Sequence, residues 1–302
     1  MIIQRLRFNN FSSKSTSSIM PVTSENKFDK IKKIILLSPL FLMVLFATSA
    51  KGQRNELGFF FGGSYYIGDL NPSKQFAMTR IGAGGLYRFN INESLALRVN
   101  GFWGNIAGND AIVKYNENRN LHFRSNIFEI SVQGEVNFLF FTPGDLDTPS
   151  TPYIFAGGGF FRFNPQAEID GQWYNLKPLN TEGQGSELYP DRKPYSLTSH
   201  NILFGIGYKF NITRQFTGTF EWGMRRTGTD YLDDISTTYP DPQVFGNNSL
   251  AIELHDRSLE NRGENVNFQR GNPNTNDWYS FAGIILTIRI KDFSRDRCPA
   301  YN

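Results

Sequence analysis

From Glu56 onward, apolar and polar residues alternate with a period of two in one segment after another. The clearest case is Ile127 to Phe140. Phe128, Ile130, Val132, Val136 and Phe138 share one face there, and Glu129, Ser131, Gln133, Glu135 and Asn137 share the other. An extended strand sends successive side chains to opposite faces, so one face can be buried while the other stays wet. The same pattern sets Phe216, Phe220, Trp222 and Met224 against Gln215, Thr217, Thr219 and Glu221. Ile284, Leu286, Ile288 and Ile290 oppose Thr287 and Arg289. Leu95, Leu97, Val99 and Trp103 alternate with Ser94, Ala96, Arg98 and Asn100. Ile202, Phe204, Ile206, Tyr208 and Phe210 alternate with Asn201, Gly205, Gly207 and Lys209. Ala77–Asn90 sets Arg80 and Arg88 against Ile81, Ala83, Tyr87 and Phe89. Glu56–Ile67 and Tyr153–Phe163 are weaker, because both faces carry Phe and Gly. Eight long strands are predicted. About 9–11 residues cross a bilayer at a tilt, whereas strands of soluble sheets run to about 5–6.

The connections sort by length. Asn90–Glu93 and Asn211–Arg214 are very short, and Thr142–Thr151 is moderate and rich in turn formers. Gly68–Phe76, Asn105–Leu121, Asn164–Leu197 and Arg226–Asp277 are polar and lengthen along the chain. Short and long connections alternate strictly. Up-and-down barrels of the outer membrane do this, with short periplasmic turns and long extracellular loops. A weak repeat, GGLYRFNINESLALRVNGFWG from Gly84 and GIGYKFNITRQFTGTFEWGMR from Gly205, supports hairpin construction. The expected fold is all-β: an eight-stranded antiparallel up-and-down transmembrane β-barrel with long extracellular loops.

An export signal precedes the strands. Lys30, Lys32 and Lys33 form a basic region, Ile34 to Phe46 is apolar apart from Ser38 and Pro39, and small residues follow from Ala47 to Gly52. The apolar run is short of the ~20 residues a spanning helix needs, so the segment reads as a cleaved signal peptide. Cleavage is expected after Ala50 or Gly52. Residues 1–52 are then an N-terminal extension and signal, with Met20 an alternative start, and 53–302 the barrel. The expected location is the cell outer membrane, with its lipid as one partner.

Composition sharpens this. The 302 residues carry 31 Lys+Arg against 28 Asp+Glu, too even a balance to point to nucleic acid. Mean hydropathy is −0.38, polar for a membrane protein, yet a barrel shows lipid only every second strand residue. Gly and Phe number 28 each, suiting crowded strands and interface girdles. Cys298 is the one cysteine, so no intrachain disulfide forms. His122, His200 and His255 are scattered, and no metal, cofactor or small-molecule substrate is expected.

Assigning each polar face to the barrel interior places Arg80, Arg88, Arg98, Arg162, Lys209, Arg225 and Arg289 there with Glu56, Glu129, Glu135 and Glu221. Eight strands leave room for side chains and no aqueous pore. Charges held there must pair or sit near the ends in water. An ion-paired plug is expected, in preference to a catalytic or proton-relay site.

Two segments are more distinctive. Gly62–Ser73 reads GGSYYIGDLNPS, with Gly68 and Asp69 at its turn. Glu221–Asp241 reads EWGMRRTGTDYLDDISTTYPD and contains Thr229, Asp230, Tyr231, Leu232, Asp233 and Asp234. With TPYIFAGGGFFRFNP and the terminal RCPAYN, they resemble the PorG-like outer-membrane β-barrel family of Bacteroidetes-type bacteria, over about Glu56 to Tyr301. The resemblance implies a non-enzymatic integral component of the type IX protein secretion machinery. It implies contact with a periplasmic ring of a lipoprotein and its partner. One departure is the tail: many outer-membrane barrels finish on an aromatic residue of the last strand, whereas Lys291–Asn302 continues past it.

Asp230, Asp233 and Asp234 admit a Ca²⁺ reading, but the spacing lacks the Gly and terminal Glu of an EF-hand. A loop-ordering cluster paired with Arg225 or Arg226 is the stronger expectation, with Asp69 a turn residue. Three other functions compete. The long loops suit a surface adhesin or ligand-binding barrel. An outer-membrane hydrolase needs a base near the top of the lumen, and its nearest candidate, His200, has lipid-facing parity. A soluble lipocalin-like cup would need no membrane at all.

Overall fold

The structure, a computed structural model, describes residues 54–290. The export signal, Cys298 and the terminal tail lie outside the described residues.

Eight long strands form the wall: β1 (Arg54–Ile67), β2 (Arg80–Asn90), β3 (Leu95–Asn109), β4 (His122–Asn137), β5 (Ser150–Arg162), β8 (Thr198–Asn211), β9 (Phe216–Thr227) and β10 (Trp278–Ile290). Each pairs antiparallel with its neighbours, β1 pairs with β10, and β3 with β4, so the sheet closes. One row of paired residues can be followed round the wall from Leu57 through Tyr87, Val99, Val132, Gly158, Ile202, Arg226 and Trp278. It returns to β1 at Ile67, ten residues from its start. Such a stagger goes with strands tilted by roughly 35–45° to the barrel axis.

The polarity is inside out for a protein in water. Ile130, Phe160 and Phe59 on the outer face are 71%, 70% and 61% exposed, while Arg88, Arg98 and Lys209 inside are 0% exposed. Among the described residues no helix is long and apolar enough to cross a membrane. The weak alternation of β1 and β5 has a structural cause. Phe60 and Phe161 point inward, Phe59, Phe61 and Phe160 outward, so aromatics occupy both faces. Glycines opposite make room for inward rings: a Cβ at Gly207 would lie 2.4 Å from the Tyr153 ring, and one at Gly205 2.4 Å from that of Phe155.

Two interior assignments are corrected. Arg162 is exposed on the outer face, because the inward side of β5 is Thr151, Tyr153, Phe155 and Phe161. Arg80 has inward parity with Gly82, Leu86 and Arg88, but it opens β2 at the long-loop end and is exposed to solvent. Arg289 lies on the inner side at the short-turn end, half-buried.

The long connections are built, not trailing. Asn164–Leu197 is not a plain loop: it contains a hairpin of β6 (Pro165–Ile169) and β7 (Gln172–Asn175), and β6 pairs with the upper end of β4. Asp170 and Gly171, both at positive φ, make its turn. The β3–β4 connection holds the single turn α1 (Asp110–Val113), and the last loop holds α2 (Ser249–His255). The first loop doubles back over the outer wall. There the Tyr65 hydroxyl accepts from Trp222 Nε1 at 2.8 Å and donates to Gln75 Oε1 at 2.7 Å. Phe76 lies against the Tyr65 ring at 4.8 Å.

Candidate functional site

The short-turn half of the lumen is an ionic network. Arg88, Arg98, Lys209 and Arg225 are matched by Glu56, Glu129, Glu135 and Glu221, all buried. Glu135 is the hub: it lies 3.0 Å from Arg88, 3.1 Å from Arg98 and 2.6 Å from Lys209. Arg88 reaches Glu56 at 3.2 Å, and Arg98 reaches Glu221 at 2.7 Å. The Tyr153 hydroxyl donates to Glu221 at 2.5 Å, and Lys209 donates to Asn137 at 2.9 Å. Further up, Glu129 accepts from Arg225 Nε, the Tyr279 hydroxyl, Asn201 Nδ2 and the Ser131 hydroxyl. Strand parity places these groups face to face in an interior with room for side chains and no pore, and each carboxylate is met by several donors.

Above the network the lumen turns aromatic. Phe60 and Phe102 lie 5.0 Å apart, Phe102 and Phe281 5.3 Å, and Phe161 and Tyr279 5.2 Å. This core runs without a break into the loops, where Leu70, Leu176, Leu232, Ile235 and Leu254 join it. The interior is therefore filled, by ion pairs below and rings above.

The motif residues order a cap that draws on all four long connections. Gly68 is confined: an added Cβ would fall 2.0 Å from Asp277 Oδ1 and 2.2 Å from the Tyr66 hydroxyl. That hydroxyl lies 2.5 Å from Asp233 Oδ2 and 3.1 Å from Asp277 Oδ1. The second oxygens of these aspartates accept from the Ile235 and Leu232 amides. Asp69 Oδ2 accepts from the Asn272 amide at 3.0 Å. Thr229 Oγ1 accepts from the Tyr231 amide, Tyr231 stacks on Tyr195 at 4.7 Å, and Leu232 is fully buried. Asp234 accepts from the hydroxyls of Thr181 and Tyr195.

The cations that bind this cap are not the expected ones. Arg225 is in the lumen on Glu129, and Arg226 is exposed on the outer face. Arg270 does the work instead, reaching Glu182 Oε1 at 3.0 Å and the Asp234 carbonyl at 2.6 Å. Arg119 clamps Asp110 at 2.7 Å and donates to the carbonyls of Asp69 and Arg270. Glu182 in turn accepts from the Ser236 and Thr237 amides. Sequence reasoning missed Glu182, Arg270 and Asp277, which lie far along the chain from residues they hold, and the Arg119–Asp110 pair, nine positions apart in a loop without a period.

Acid outnumbers base locally, and the carboxyls respond. Burial pushes Asp230 up to about 8, with Asp69 and Glu182 adding repulsion. Burial and the neighbouring aspartates drive Asp233 and Asp277 well above the usual range. Burial raises Asp234 to about 6 against the pull of Arg270. Among the described residues no group of three or more His, Cys, Asp or Glu is arranged to hold a metal ion. His200 is exposed on the outer wall, facing away from the lumen.

Residues 33–250 match a family described as a domain of unknown function, DUF6089. The chain belongs to this family. DUF6089 thus covers the wall up to β9 and much of the cap. Among curated proteins none matches the chain. Solved structures similar to it include the N-terminal β-barrel domain of Pseudomonas aeruginosa OprF, at 13% identity and TM-score 0.34. Ail, the attachment invasion locus protein of Yersinia pestis, is similar at 8% identity and TM-score 0.38. Neisserial surface protein A is similar at 10% identity and TM-score 0.38. Each alignment covers 80% of this chain and 100% of the other. At such scores these likenesses carry no argument about what the DUF6089 chain does; the barrel rests on its own closed register.

Proposed function

We propose that this DUF6089 chain is an outer-membrane barrel that works at its rims, as a non-enzymatic component of a type IX secretion complex. The filled interior carries the reading. A lumen packed with ion pairs and rings passes no solute, so function is left to the two ends and the wall. The apolar outer face supports insertion in lipid, since exposed Phe and Ile in such density are unfavourable in water. The loop-length alternation supports short turns on the periplasmic side, toward a secretion-ring lipoprotein and its partner. The resemblance of the Gly68–Asp69 and Thr229–Asp234 segments to PorG-like barrels supports the secretion role. The test is deletion of the gene: export of cargo across the outer membrane should stop. Normal export in the deletion strain would overturn the role.

One observation favours a second reading, a surface-binding barrel. The four long loops are locked into one folded surface by Arg119, Arg270 and Glu182, which suits recognition. Replacing residues 180–196 with a short linker would then abolish binding to a matrix or host ligand and leave secretion intact.

A further inference from the structure

Arg162, expected inside the barrel, and Arg226, expected to pair with the aspartates of the last loop, both sit on the outer wall where the apolar surface ends. On five adjacent strands the last apolar outward residue is followed, toward the long loops, by a polar one: Asn105, Asn126, Arg162, His200 and Arg226. Arg162 is paired with Thr198, Phe160 with His200, and Ile202 with Arg226. Arg162, His200 and Arg226 are therefore one diagonal step apart on consecutive strands, about 7–8 Å each. All three are exposed. Neither arginine has an ion pair among the described residues. None of the outward residues on these strands is acidic. The imidazole of His200 lies over Gly228, where a Cβ would fall 2.3 Å from its Cε1.

Beside Arg162 the wall is dented. Phe59, Gly85, Gly101, Ile130 and Phe160 form one paired row across five strands. A Cβ at Gly85 or Gly101 would meet nothing within 4 Å, so internal packing does not require glycine at either position. Their smallness instead opens a groove of about 660 Å³ on the outer face, walled by Phe59, Trp103, Phe128 and Phe160 and reaching Arg162. That volume lies within the roughly 300–1,000 Å³ of small-ligand sites.

We propose that this groove binds a phosphate-headed lipid, resting on the reading of the chain as an outer-membrane barrel. An acyl chain lies on the Gly85–Gly101 floor, and the phosphate meets Arg162, with His200 and Arg226 completing the rim. An apolar groove alone accepts any acyl chain; the cations select the headgroup. A guanidinium fork matches phosphate oxygens, and its long stem can lie on apolar surface while the charge reaches the interface. The contiguity of groove and charge selects an amphiphile over a free anion.

The full chain, isolated from membranes, would be offered equal amounts of dioleoylphosphatidic acid and dioleoylphosphatidylcholine, and bound lipid read by native mass spectrometry. Phosphatidic acid should be retained about tenfold over phosphatidylcholine. The double variant Arg162→Ala, Arg226→Ala should lose that preference. Gly101→Leu, which fills open space, should reduce retention of both lipids while the barrel stays heat-modifiable on a gel. Equal retention of the two lipids, complete competition by inorganic phosphate, or a lipid-free dimer that Gly101→Leu disrupts would each overturn the site. A chain that shows no heat-modifiable form and leaves the membrane fraction would overturn the membrane reading itself.

Discussion

Glu135 touches three cations and is buried, which makes it an exacting position. Glu135→Ala leaves Arg88, Arg98 and Lys209 with an uncompensated charge. Breaking a buried pair from one side costs about 3–5 kcal/mol. The midpoint of denaturant unfolding in detergent should fall accordingly, and an unchanged midpoint would show that the network contributes nothing. Asp230 behaves oppositely. Its carboxyl is raised to about 8 in the folded cap, so its contribution to the cap's stability is fully present below the ordinary carboxylate range and is lost as pH rises through about 8. Asp233 and Asp277 shift in the same direction and add to the slope. Proteolysis of the long loops should therefore be faster at about pH 9 than at about pH 6, and Asp230→Asn should flatten that difference. Charged residues were most legible in the sequence as interior candidates where the opposite face was clearly apolar, as for Arg98 and Glu129. In β5 rings occupy both faces, so parity said nothing about Arg162, and the structure puts it outside.

At the level of elements, six wall strands were legible because each alternates for long enough to show its period, and β1 and β5 showed through more weakly, since aromatics lie on both of their faces. Their ends were less so. β3 runs on to Asn109, into the stretch expected to be loop from Asn105, because Asn105 faces outward above the apolar surface. Alternation of hydrophobicity there marks the lipid-facing part of a strand, not the whole of it. The β6–β7 hairpin had a signal that was passed over: Asp170-Gly171 between Ile169 and Gln172-Trp173, a dipeptide suited to a tight two-residue turn. Its strands are too short to show a period. Gly171 has φ of +80° with nothing near its side, so Gly171→Val introduces backbone strain alone, about 1–2 kcal/mol. Protease nicking within residues 168–175 should rise, while heat-modifiability of the barrel stays as it was. Loss of both would mean that the hairpin supports the wall.

For the whole molecule the filled lumen makes a direct prediction: reconstituted in a planar bilayer, the protein should show no steady ion conductance. Open-channel steps in the wild-type chain would refute the plug. The lumen was foreseeable from strand number and charge. The cap was not, because its bonds join residues 167 and 211 positions apart and leave no periodic trace.

Those separations also set an order in time. The barrel is shut by β1 meeting β10, where the Thr287 hydroxyl reaches Glu56 across 231 positions of chain. Contacts so distant are the slowest to form, since the intervening chain must be brought together first. The cap needs Tyr66, next to last in β1, beside Asp277, which immediately precedes β10. It can therefore assemble only on a barrel that has already sealed. A protease-resistant cap is a certificate of a closed barrel, issued by the protein itself and displayed at one end of the finished molecule.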